Sequence, residues 1–406
     1  MVLVALLAGC TPTPPAPVES TPPPVTEPTP TPTPTVDPIT APEPLLDLTC
    51  DSLAGDGVGQ LFTGGVSEVD PERTIAEAGT SIAYKYAVEQ LGGLACEWSN
   101  GVPQSDKMGS DPGYIGLAVT VAPATEAQWA EYRDYYDVQK DRQIYCFTDT
   151  GFFCAANVYV GGWWVESQAT GMDTVAAKAL QKTYRGVIEK VIARVSAASP
   201  TGTEWVAPEG TSPTPDCEGF LSADDARSAF GTSGKVSIER PQGGVSLDGV
   251  MRRELNSLWC IYLIDNSDDS VGALYWLPGG EWAWLEESTF DLLGGVPTEI
   301  SVAGLEANDS AWVRCFSNTC EVDLIVDHNW VNFTAGSNDQ PRVEKIAAAI
   351  VSNVKAYNPR PIVPRRATRS CSGGWVEKRR SMMPGLVGSE IHMCAIVAFC
   401  FCIGRP

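Results

Sequence analysis

The chain has 406 residues and a formal net charge of −22, which allows two or three domains and argues against a nucleic-acid binder, whose partners need basic patches. Thirteen cysteines against two histidines point to disulfides rather than to histidine-rich zinc sites or a Ser-His-Asp triad.

The first feature in chain order is Leu7-Ala8-Gly9-Cys10, preceded by an apolar run and followed by Thr-Pro repeats. Residues 1–10 read as a lipoprotein signal with a lipobox, Cys10 being the lipidated residue; the alternative is an ordinary cysteine in an apolar scrap. No Lys or Arg precedes Cys10, so the basic n-region of a complete signal is missing and translation is expected to start upstream. Acyl chains, at about 0.8 kcal/mol per buried methylene, would hold the protein on the extracytoplasmic face of the cell membrane. No stretch reaches the roughly 18 apolar residues that span a bilayer. Residues 11–44 alternate Thr and Pro, with Glu19, Glu27, Asp37 and Glu43 between. Proline removes backbone donors and fixes φ, so this segment is expected to be a disordered, extended spacer reaching on the order of 100 Å.

Residues 45–197 and 215–358 carry the same features in the same order. Each begins at a cysteine, Cys50 or Cys217, followed by a short helix: Asp51 to Phe62 in one, Ser222 to Phe230 in the other, with Ser222 a good N-cap. Short strands are predicted at Val66–Val69 and Val236–Glu239. Strands with a buried cysteine follow, at Ala95–Trp98 and Trp259–Tyr262. Ile115–Val121 alternates with period two, and Val271–Leu277 is its counterpart. Helices are predicted from Thr125 to Lys140 and from Trp282 to Leu293. Both halves then show a close cysteine pair, Cys146 and Cys154 or Cys315 and Cys320, running into a hairpin. The turns are read at Gly161-Gly162 and His328-Asn329. Each half closes on an amphipathic helix, with Tyr184, Ile188, Val191 and Val195 in one and Val343, Ile346, Ile350 and Val354 in the other.

A repeated order of this kind predicts an α+β fold: two tandem, duplicated domains, each an antiparallel sheet covered by helices and stapled by disulfides, with residues 198–214 as the linker between them. Four cysteines per half allow three pairings. The repeat favours Cys50–Cys96 with Cys146–Cys154, and Cys217–Cys260 with Cys315–Cys320.

The lipobox, the low-complexity linker, Cys50 with its acidic helix and Cys96-Glu97-Trp98 together resemble exported actinobacterial lipoproteins of unknown function with a Cys…Cys-x-Trp core. Those domains are similar in outline to PsbP-like α/β sandwiches. The resemblance covers 45–197 and, more loosely, 204–358, where Tyr262 replaces Trp98. It implies export and a compact α+β fold, and it transfers no catalytic residue.

Little in the chain signals chemistry. His328 falls in a turn and is expected at the surface. Ser352-Asn353-Val354-Lys355 matches Ser-x-x-Lys without the motifs that accompany a penicillin-binding nucleophile. Asp265–Asp269 lacks the glycine and terminal glutamate of a calcium loop. Asn308 and Asn332 sit in glycosylation sequons that a bacterial lipoprotein makes irrelevant. No catalytic residue, cofactor or metal site is predicted. Adjacent Trp163 and Trp164 point to opposite faces of a strand, which makes them the candidate ligand-binding pair, against ordinary packing.

The tail, 359–406, changes composition: Arg360, Arg365, Arg366, Arg369, Lys378, Arg379, Arg380 and Arg405 face only Glu377 and Glu390. It is expected to be disordered, read either as out-of-frame translation or as a metal- or membrane-surface element through Cys394, Cys400 and Cys402. The chain as a whole predicts a lipid-anchored, non-enzymatic envelope module that binds an envelope lipid, a glycan or a protein. A scaffold without a ligand and an unrecognised hydrolase are the alternatives.

Overall fold

A computed structural model describes residues 39–62, 67–69, 84–101, 115–138, 143–147, 153–170, 174–241, 244–257, 259–265, 270–289, 296–316, 319–335 and 339–357. All belong to one contact unit that starts at Ile39. Cys10, most of the Thr-Pro spacer and the basic tail lie outside the described residues.

The fold is α+β, with two antiparallel sheets covered by helices and four disulfides. The first half contains α1 (Cys50–Ala54), β1 (Ser67–Val69), α2 (Tyr84–Gln90), β2 (Leu94–Ser99), β3 (Gly116–Pro123) and α3 (Glu126–Tyr135). It continues through β4 (Ile144–Phe147), β5 (Phe153–Val160), β6 (Trp163–Thr170) and α4 (Thr174–Ala197). The second half contains α5 (Cys217–Phe220), α6 (Ala223–Phe230), β7 (Val236–Glu239), α7 (Leu247–Glu254), β8 (Cys260–Ile264) and β9 (Ser270–Leu277). After these come α8 (Glu281–Glu287), β10 (Thr298–Glu299), β11 (Ser310–Phe316), β12 (Thr319–Val326), β13 (Asn329–Ala335) and α9 (Gln340–Ala356).

The two sheets have the same strand order. It is β1-β2-β3-β6-β5-β4 in one and β7-β8-β9-β13-β12-β11 in the other, with β10 added at the edge. Pairing registers make the correspondence residue by residue. Cys96 lies opposite Val119, as Cys260 lies opposite Leu274; Ala122 lies opposite Trp164, as Leu277 lies opposite Trp330. Counting from these anchors matches Cys154 to Cys320, Asn157 to Asp323, Trp129 to Trp284 and Tyr132 to Glu287. The disulfides join Cys50–Cys96, Cys146–Cys154, Cys217–Cys260 and Cys315–Cys320, the pairing the repeat favours.

Local chemistry accounts for the elements. Thr125 caps α3 through the backbone N–H of Gln128, and Ser222 caps α6 through that of Asp225, each satisfying a donor the helix leaves open. Gly231 ends α6 in the left-handed region at φ 74°. The helix expected over Asp51–Phe62 is instead α1 followed by a 3-10 segment, Gly55–Leu61; glycines at 55, 57 and 59 weaken the α form. The second hairpin turns at Asp327-His328, both with positive φ, and not at His328-Asn329. Asn329 opens β13, opposite Val326.

Three apolar clusters organise the interior. In the first half, β2, β3, β5 and β6 pack under α4, which buries Tyr184, Val187, Ile188, Val191 and Val195. In the second half, β9, β12 and β13 pack under α9, which buries Val343, Ile346, Ala347, Ile350, Val351 and Val354. The third cluster is shared: Tyr86, Val88, Trp129 and Trp164 of one half meet Val250, Tyr275, Leu277, Trp282, Trp284 and Trp330 of the other. The linker expected at 198–214 is pinned rather than free. Pro200 bridges Leu46, Trp205 packs on the shared cluster, and Ser212 accepts from the Asn329 side chain.

The halves exchange helices. Tyr86 of α2 meets Trp282 and Trp330 edge-on, at 5.6 Å each. Gln90 donates to the Pro278 carbonyl at 2.7 Å and accepts from Trp282 Nε1 at 3.3 Å. In return, α7 reaches α3, where Glu254 accepts from Gln128 and Arg253 pairs with Glu131 at 4.0 Å. Lys85 pairs with Glu286, the counterpart of Glu131, at 3.8 Å.

Candidate functional site

On each sheet, the face turned to the shared cluster carries a polar group set among aromatics. In the first half, Trp164 Nε1 donates to Asn157 Oδ1 at 3.0 Å, and Asn157 faces Glu166 across the strands. In the second, Trp330 Nε1 donates to Asp323 Oδ1 at 2.9 Å, and Asn332 Nδ2 donates to the same oxygen at 2.7 Å. Acid and amide have exchanged strands between the halves. The tryptophan donor and its acceptor are retained, and a buried indole N–H is more stable with a partner than without one.

The surroundings differ. Beside Glu166 stand Tyr132 of α3 and Tyr145 of β4. The matching positions around Asp323 hold Glu287 of α8 and Arg314 of β11, and Glu321 replaces Ala155. All three charged residues are buried, with 5 %, 6 % and 3 % of their surface exposed for Glu287, Arg314 and Glu321. Arg314 Nη2 donates to Glu321 Oε2 at 3.0 Å. Thr334 Oγ1 lies 3.4 Å from Glu321 Oε1 and 3.3 Å from Asn332 Oδ1, so one network crosses three strands.

This network leaves polar capacity unmet. Among the described residues, Arg314 Nε, Arg314 Nη1 and Glu287 Oε2 lack a hydrogen-bond partner within the distance of an ordinary bond, as do Trp129 Nε1, Ser257 Oγ and Trp276 Nε1 outside the network, while the Tyr86 hydroxyl stands beside the Glu287 carboxyl. Burial, then the Asp323 and Glu321 carboxylates, holds the Glu287 carboxyl well above its ordinary range, against opposition from Arg314 and Tyr86. Burial and Glu321 raise Asp323 to about 6, against the hydrogen bonds from Asn332 and Trp330 and the charge of Arg314. In the first half, burial and the Asp248 carboxylate of α7 raise Glu166 to about 7.

The tryptophans singled out in the sequence part company. Trp164 is fully buried in the shared cluster, whereas Trp163 packs half-buried on the core beneath α4; the structure does not bring them to one site. His328, expected at the surface, is half-buried, with Nδ1 2.6 Å from Glu281 Oε2 at the start of α8. Lys355 of the Ser-x-x-Lys match binds Asp327 and Asp309 at 2.6 and 2.9 Å. Asp265 accepts from the Lys235 backbone N–H, and residues 266–269 lie outside the described set. Asn332 is buried in the network.

Reading the sequence alone misses Glu287, Arg314, Glu321 and Asp323. The available signal is charge on one side of strands otherwise apolar or cysteine-bearing, visible once the hairpins are aligned. Among the described residues, no group of three or more His, Cys, Asp or Glu could hold a metal ion. A shallow, open groove between α6 and α9, lined by Asp225, Ser228, Ala229, Lys345 and Ala349, has no comparable chemistry. Comparison of the chain with protein-family models, with curated proteins and with solved structures found no match.

Proposed function

We propose that the chain is an exported, lipid-anchored binding or sensor module of the cell envelope, without catalysis of its own. Four disulfides indicate an oxidising, extracytoplasmic environment. Among the described residues no helix is long and apolar enough to cross a membrane. Cys10 is the proposed point of attachment to the membrane.

One observation carries the binding reading. The second half holds a buried charged cluster in which two Arg314 donors are unmet, where the first half has tyrosines and alanine. Burying charge without full pairing costs stability, and groups retained at such a cost mark candidate functional sites. The converging Glu287 and Asp323 also keep a hydrolase reading in play. Asp323, however, fills the place of Asn157 and anchors a tryptophan as that amide does, which favours an architectural role. The test is native mass spectrometry of the full chain purified from its own cells. A retained small molecule is expected, and a bare protein overturns the binding reading.

A further inference from the structure

We infer that the Cys315–Cys320 bridge is a redox-sensitive clamp on the buried Arg314–Glu321 pair, opened by thiol–disulfide exchange with a dithiol. The inference is independent of the binding reading above. Of the eight bridged cysteines Cys315 alone is exposed, so it offers an attacking thiolate the readiest access. Its bridge closes the shortest separation, 5 residues against 8, 43 and 46, and therefore contributes the least loop entropy. Cys315 and Cys320 lie directly opposite each other in the β11–β12 ladder, as do Arg314 and Glu321 at the next step. Successive residues of a strand face opposite sides: Cys320 lies in the core beneath α9, and the charged pair lies on the other face. Among the described residues β10 flanks β11 only at Trp312 and Val313, so the end of β11 is held by β12 and by the bridge.

That end carries a cost for the bridge to hold. Arg314 Nε and Nη1 are buried without a hydrogen-bond partner, and fraying of the hairpin end returns them to water, which satisfies them. The first half supplies the comparison. Cys146 and Cys154 are bridged at the matching positions, but Tyr145 and Ala155 stand beside them, with no ion pair to release. Reduction therefore frays the second hairpin and not the first. In the exchange, a thiolate of the dithiol attacks Cys315 Sγ, the bond to Cys320 Sγ breaks, and Cys320 leaves with the electron pair and takes a proton. The second sulfur of the dithiol, as thiolate, attacks the reagent's own sulfur in the mixed disulfide and releases Cys315, which is protonated in turn. The protein gains two electrons and two protons, and the dithiol becomes a disulfide.

The test equilibrates the full chain at neutral pH with graded ratios of reduced to oxidised dithiothreitol, traps free thiols by alkylation and maps them by mass spectrometry. Cys315 and Cys320 are expected to be alkylated first, while the other three bridges stay closed. In that species amide exchange at Arg314, Cys320 and Glu321 should speed by about tenfold or more, with exchange at Tyr145 and Ala155 unchanged. A chain carrying both Cys315→Ser and Cys320→Ser is expected to show the faster exchange without dithiol. Arg314→Leu combined with Glu321→Leu is expected to abolish the response to reduction. Should the leucine pair fail to fold, the comparison of the two hairpins in the reduced wild type carries the test. Simultaneous opening of all four bridges, earlier opening of any other bridge, unchanged exchange at Arg314 and Glu321, or equal speeding in both hairpins overturns the inference.

Discussion

Trp164 and Trp330 occupy matching positions, and each indole needs an acceptor that an amide or a carboxylate can supply. Asp323→Asn should therefore change stability little, because an amide oxygen at 323 still accepts from the Trp330 N–H, as Asn157 does from Trp164. Asp323→Ala, which strands the Trp330 N–H, is expected to cost about 1–3 kcal/mol in urea denaturation at pH 7. Glu287 has a different signature. Its carboxyl is raised in the fold, so its proton stabilises the native state at low pH and that contribution is lost as pH rises. Glu287→Gln, which cannot ionise, should be more stable than the wild type at pH 8.5 and close to it at pH 5. A wild-type pH profile retained in the variant would sink this account of Glu287.

Elements follow mostly from local rules, and their contributions can be ranked. Ser222→Ala removes the acceptor for the Asp225 N–H and is expected to cost about 1 kcal/mol by chemical denaturation. The Cys217–Cys260 bridge closes a 43-residue separation and Cys315–Cys320 one of 5. Loop entropy then assigns about 4 kcal/mol to the first and about 2 kcal/mol to the second, so paired serine substitutions should differ in that order in urea midpoint. The hairpin turn shows where local rules stop. His-Asn is acceptable turn chemistry, yet the register places Asp327-His328 at the tip. Asn329 is thereby buried, accepting from the Gly279 N–H and donating to Ser212; its tertiary partners outweigh its turn preference.

For the whole molecule, the shared cluster decides cohesion. Residues 39–213 expressed alone would expose Tyr86, Trp129 and Trp164, which the second half covers. Burial of such side chains contributes about 1.5–3 kcal/mol each. The isolated half is expected to bind a hydrophobic dye and aggregate, while the intact chain unfolds in one calorimetric transition; two separate transitions would show the halves to be independent. Glu166 rises from 4.5 to about 7 and Asp323 from 3.8 to about 6. Raised acids bind more protons folded than unfolded, so stability should fall as pH climbs from about 4 to 7 through these groups. The charge of −22 acts in the same direction through self-repulsion. Melting temperature measured from pH 4.5 to 8 should therefore decline.

Period-two runs, helical spacing, caps and the placing of eight cysteines are local or pairwise properties, and from them the sequence by itself determined the α+β class, the duplicated order and the disulfide pairing. Cys50, Cys96, Cys146 and Cys154 recur in Cys217, Cys260, Cys315 and Cys320, and that repetition favoured, among three pairings per half, the one the structure has. The candidate site was not legible in this way. Glu287 and Arg314 are 27 residues apart in sequence, with the edge strand β10 between them, and strand alternation alone does not say which side of β11 meets α8. Only the tertiary structure decided that both sheet faces of the second half are buried, so that Arg314, Glu321 and Asp323, ordinary surface charges had that face met water, are instead enclosed, with two Arg314 donors unmet.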